Sequence, residues 1–130
     1  MTINKSQTAL DLTEETRQSY QPLRPPTEFE QAELTKRWQR ARTVAEQAAN
    51  LLRSQFRAKR IALFGSVTNP ALFTPWSDID LAVWGIPALQ FYRAVAVVSG
   101  LSAEFKIDLV DPEDCPPTLL QVIKKNGVDL

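Results

Sequence analysis

Histidine is absent from this chain of 130 residues, and cysteine occurs once, at Cys115. A serine–histidine–aspartate triad, a histidine general base and any zinc site with a histidine ligand are therefore excluded. A lone cysteine forms no intrachain disulfide, which fits a reducing cytoplasm. Its acidic neighbours give no reason to read it as a reactive thiol. Nor is there an excess of charge. The 15 Lys and Arg balance 15 Asp and Glu, without the basic surplus of proteins that coat nucleic acid, so direct nucleic-acid binding is not expected. No apolar run approaches the roughly 20 residues that span a bilayer, and the amino terminus lacks the apolar core of a signal peptide. These absences describe a soluble, cytoplasmic protein with no membrane partner, long enough for one compact domain.

The charge that is present is unevenly spread. Arg37, Arg40, Arg42, Arg53, Arg57, Lys59 and Arg60 crowd the first half, and Asp78, Asp80, Asp108, Asp111, Glu113 and Asp114 the second. Residues 1–26 are polar and end in Pro25-Pro26, the composition of a flexible arm. Thr27 and Glu30 have the spacing of a capping box. Leu34, Trp38, Ala41, Ala45, Ala48, Leu52 and Phe56 then recur every three or four residues, predicting one long amphipathic helix over 27–59. Its stripe is free to dock on its own domain, the default, or to pair with a second copy as a homo-oligomer.

The remainder, 60–130, alternates strands and helices. Ile61 to Phe64 is a short buried strand ended by Gly65-Ser66, and Asn69-Pro70 and Thr74-Pro75 leave room for a single helical turn. Ile79 to Trp84 is the second strand. Pro87 opens a helix to about Leu101 with Leu89, Tyr92, Val95, Ala96 and Val98 as its apolar residues. Phe105 to Val110 is the third strand, and Thr118 to Lys125 a last helix stopped by Gly127. A helix between strands two and three permits a parallel crossover, so the expected fold is α/β, a small mixed sheet with helices packed on it.

Within that frame the carboxylates are informative. Asp78 and Asp80 share one face of a strand while Ile79 points into the core. Asp108 alternates with Ile107 and Leu109 and is placed to meet them from the neighbouring strand. Adjacent anions repel, and a divalent cation between them removes that penalty. A glycine turn, paired carboxylates entering one strand and a lone carboxylate inside another together point to a metal-dependent nucleotide site.

Phe64-Gly65-Ser66 followed by Ser77-Asp78-Ile79-Asp80-Leu81 resembles the signature of the minimal nucleotidyltransferase (MNT) domain, in the DNA polymerase beta-like nucleotidyltransferase superfamily. Lys106-Ile107-Asp108-Leu109-Val110-Asp111 is similar to the strand carrying that family's third carboxylate, and the ending 122–128 to its final helix and turn. The resemblance implies a magnesium-dependent nucleotidyltransferase with Asp78, Asp80 and Asp108 as catalytic residues holding two ions. Gly65 and Ser66 would bind the nucleotide, ATP. It also implies an antitoxin that transfers AMP to a tyrosine of a HEPN ribonuclease toxin. The alternatives are a non-catalytic module that neutralises a partner by docking, and a small-molecule nucleotidyltransferase. Two departures stand out. The gap between Gly-Ser and Asp-x-Asp is a residue longer than the commonest form, and Val67 and Asn69 replace the usual basic residues. Leu72, Phe73 and Trp76 in the same loop are either a partner surface or the loop's own packing.

Overall fold

Two prolines and a threonine start the first helix. In the computed structural model, which describes residues 24–130, α1 runs Glu28–Phe56. The capping box is formed: Thr27 Oγ1 accepts from the Glu30 amide at 3.1 Å, and the Thr27 amide donates to Glu30 Oε1 at 3.0 Å. Arg24 forks onto both oxygens of Glu30 at 2.8 and 2.9 Å. That hydrogen-bonded guanidinium, followed by the Thr27 amide, lowers the Glu30 carboxyl from 4.5 to about 2. The expected arm of residues 1–26 lies outside the described residues except for its last three.

At the other end, Arg57 caps α1 in the left-handed region at φ 58°, ψ 37°. A side chain there is strained, and glycine is not. Arg57→Gly is therefore expected to stabilise the domain by up to about 1 kcal/mol, raising Tm by a few degrees in a thermal melt.

Behind the cap come β1 (Arg60–Phe64), β2 (Ile79–Trp84), α2 (Ala88–Ser99), β3 (Ile107–Val110), α3 (Pro117–Asn126) and β4 (Val128–Asp129). The sheet order is β3-β2-β1-β4. β1 lies antiparallel to β2 and β4, and β2 parallel to β3 through the α2 crossover. The mixed sheet and the parallel crossover are as expected. β4 is an addition, two exposed residues with no alternation to announce it. None of the helices among the described residues is long and apolar enough to cross a membrane.

Strand alternation divides the core in two. Ile61, Leu63, Ile79, Leu81 and Ile107 meet Ala41, Ala45, Ala48, Leu52 and Phe56 of α1 and Ala94 and Val98 of α2. The three alanines of the α1 stripe, and Ala49 beside them, are completely buried, small enough to seat the helix backbone close against its neighbours. The long helix thus docks on its own domain. The opposite face is thinner: Ala62, Phe64 and Ala82 under Ile123 of α3, with Trp84, Val110 and Leu119 at the margin.

The apolar residues of α2 do not all turn inward. Leu89 and Tyr92 of α2 are 97% and 85% exposed and Ala96 is also exposed, whereas Ala94 and Val98 are buried with Phe91, Val97 and Leu101 packed beside them. α2 is apolar around most of its circumference, so hydrophobicity alone does not choose a side. Contact with α1 and β3 does.

Candidate active site

β1 ends at Phe64, and the chain turns at Gly65 with φ 79° and ψ −164°, a conformation essentially restricted to glycine. The missing side chain matters as much as the torsions. A Cβ on Gly65 would stand 2.6 Å from Asp80 Oδ2, so the turn lies directly against that carboxylate.

The expected helical turn falls earlier than foreseen, as a 3₁₀ turn over Ser66–Thr68. The Thr68 amide and hydroxyl both donate to the Gly65 carbonyl, at 3.2 and 2.8 Å. Ser66 Oγ donates to Ser77 Oγ at 2.8 Å, and Ser77 Oγ also accepts from the Thr74 amide at 2.9 Å. A buried Ser77 therefore ties the glycine turn to the segment that delivers Asp78. This hydroxyl link was not foreseen. The available signal was Thr74 three residues ahead of Ser77, the spacing of a hydroxyl-closed turn.

The residues that replace the usual basic ones have structural work. Val67 is fully buried. Asn69 Oδ1 accepts from the Ala71 amide at 2.9 Å, closing an Asx turn. The apolar loop residues divide between the two readings: Phe73 is buried, while Leu72 and Trp76 are 61% and 46% exposed.

The register brings two of the three expected carboxylates together. Asp80 pairs directly with Asp108 across the parallel β2–β3 ladder, and with Phe64 across β1. The side chains of Asp80, Asp108 and Phe64 share the α3 face, because Ile79, Leu81 and Ile107 occupy the other. Asp78 stands just ahead of β2, two residues before Asp80 and half-buried like it. Lys106 Nζ lies 3.6 Å from Asp108 Oδ1, on the same side of β3. No three carboxylates, thiols or imidazoles among the described residues stand at the spacing of a closed metal cage. The donors that do adjoin, Asp80 and Asp108 with Asp78 at the strand entrance, are hard oxygens, which suit magnesium.

The family description "Polymerase beta, Nucleotidyltransferase" matches residues 46–130, nearly two thirds of the chain, and that stretch contains the turn and all three carboxylates. The chain belongs to the polymerase beta nucleotidyltransferase family. No curated protein sequence matches it. Among solved structures, this nucleotidyltransferase is similar to a protein assigned as a minimal nucleotidyltransferase, with 25% identity over 72% of this chain and 95% of that one, TM-score 0.56. It also shares its fold with a chain of a toxin–antitoxin complex crystallised with AMP-PNP (24% identity, 65% and 70% coverage, TM-score 0.53). A third likeness is to a complex of tri-AMPylated Shewanella oneidensis HEPN toxin with its MNT antitoxin (22% identity, 68% and 70% coverage, TM-score 0.51). The expected resemblance to the minimal nucleotidyltransferases is thus borne out. The best-buried strands of this nucleotidyltransferase are β1 and β2; in β3 only Ile107 is buried, and Asp108 beside it is partly exposed.

Proposed function

We propose that this nucleotidyltransferase is a magnesium-dependent protein adenylyltransferase of the cytoplasm, an antitoxin that moves AMP from ATP to a tyrosine hydroxyl of a HEPN ribonuclease toxin. The observation that carries the reading is the register: Asp80 opposite Asp108 on adjacent strands, with Gly65 pressed onto the Asp80 carboxylate. Solved relatives in fold hold AMP-PNP in one case and an AMPylated HEPN toxin in another, which supports ATP as donor and such a toxin as acceptor.

Asp78 and Asp80 would hold two magnesium ions, with Asp108 completing the set. The ions supply charge neutralisation at the attacking and leaving oxygens. Gly65 would leave room for backbone amides to approach the phosphates, and Ser66 would donate to a phosphate oxygen once its bond to Ser77 is exchanged. Asp108 accepts the tyrosine proton as the phenolic oxygen bonds to the α-phosphorus. The bond from that phosphorus to the bridging oxygen breaks, and pyrophosphate leaves.

The test is direct. The protein is incubated with ATP, magnesium and a purified HEPN toxin, and the HEPN chain is weighed intact. A gain of one or more AMP units on tyrosine, abolished by EDTA, is the expected result. An unchanged mass in the presence of folded, nucleotide-bound enzyme overturns the acceptor assignment.

A further inference from the structure

We propose that two consecutive residues of α1, Arg37 and Trp38, are positioning residues that hold the segments of the nucleotide site in their mutual geometry. The inference rests on the nucleotidyltransferase reading of that site. Both residues lie ahead of the stretch matched to the family, residues 46–130, so the family pattern does not assign them a role.

Trp38 Nε1 donates to the Val67 carbonyl at 2.8 Å, in a partly buried contact spanning 29 residues. The consequence passes through two rigid peptide planes. The Val67 carbonyl shares its plane with the Thr68 amide, and that amide donates to the Gly65 carbonyl at 3.2 Å. The Gly65 carbonyl in turn shares its plane with the Ser66 amide, which must point the opposite way. An indole N–H on α1 therefore sets the direction of the Ser66 N–H, one residue after the glycine that lies against Asp80. A three-residue 3₁₀ turn has little stability of its own to do so.

Arg37 acts on the other two segments. Its guanidinium lies 4.5 Å from the ring centroid of Phe105 and 5.9 Å from that of Phe73, within cation–π range of both. Glu104 Oε2 pairs with the same guanidinium at 3.3 Å. Phe105 leads into β3 and Asp108. Phe73 is the buried anchor of the loop that delivers Asp78. Neighbouring residues of one helix thus touch the turn after β1, the entry to β2 and the entry to β3.

Two variants separate positioning from mere support. Trp38→Phe keeps an aromatic ring against the core and removes the donor. Its Kd for magnesium-ATP by calorimetry, and its KM for ATP, are expected to rise roughly five- to tenfold, the factor one such hydrogen bond confers. Turnover should stay within about twofold, and amide exchange should quicken at residues 65–69 more than elsewhere. Arg37→Met leaves the indole bond and loosens the segments behind Asp78 and Asp108. It is expected to lower kcat by a similar factor with KM nearly unchanged. Gln39→Ala, on the exposed side of α1, should change neither. Wild-type affinity in Trp38→Phe, or wild-type kcat in Arg37→Met, overturns the proposal, whatever the effect on Tm. Wild-type protein that binds no magnesium-ATP overturns instead the nucleotide reading beneath it.

Discussion

Asp80→Asn is expected to abolish AMP transfer, by roughly a thousandfold or more, while Tm stays within a few degrees of the parent. The two halves of that expectation have separate causes. Asparagine has the size and shape of aspartate and retains one acceptor oxygen, and residue 80 contributes its backbone to β2 irrespective of charge. Replacing one of two carboxylates paired across strands also removes a like-charge repulsion. The chemistry loses an anionic oxygen at the centre of the proposed metal site. Metal-based charge stabilisation is worth several kcal/mol in the transition state, and about 4 kcal/mol corresponds to roughly a thousandfold in rate. Single-turnover incorporation of labelled AMP measures it, with circular dichroism melts as the fold control. Asp78→Asn should behave alike. Variants that keep a tenth of wild-type transfer would remove these residues from the mechanism.

Gly65→Ala is expected to damage both stability and transfer, because the position is demanding twice over. The backbone at φ 79°, ψ −164° costs an L-residue about 1–3 kcal/mol. The added methyl would also press on Asp80 Oδ2 at 2.6 Å, and relief requires moving either the turn or the carboxylate. A Tm loss of about 10 °C or more follows for a domain of this size, and transfer should fall by at least about a hundredfold at temperatures where the variant is folded. A second substitution distinguishes strain from collision. Asp80→Ala in the Gly65→Ala background removes the colliding oxygen, so part of the lost Tm should return. Equal melting of Gly65→Ala and the parent would mean that the turn does not lie against Asp80.

Much of the site was legible because the relevant signals are local. Asp80 and Asp108 each alternate with apolar residues, and a period of two assigns a face without any knowledge of the partner strand. Thr27 and Glu30 announce the start of α1 because a capping box is closed within four residues. The seven residues of the α1 stripe all turn inward, since a single narrow apolar arc leaves the helix no choice. α2 is the counterexample. Leu89 and Tyr92 were named among its apolar residues and are 97% and 85% exposed, because two apolar arcs overlap on one short helix. Ser66 was read only as a phosphate donor, and its bond to Ser77 depends on a loop closure that no spacing rule specifies.

The cap of α1 and the faces of the strands are settled between residues a few positions apart, and there the one-dimensional pattern sufficed for this nucleotidyltransferase. The pairing of Asp80 with Asp108, the seat of Gly65 on a carboxylate and the reach of Trp38 to Val67 join residues 15 to 29 positions apart. Those contacts exist because strand register and helix docking minimise exposed apolar surface and unpaired backbone over the whole domain, a balance no local stretch of the chain contains.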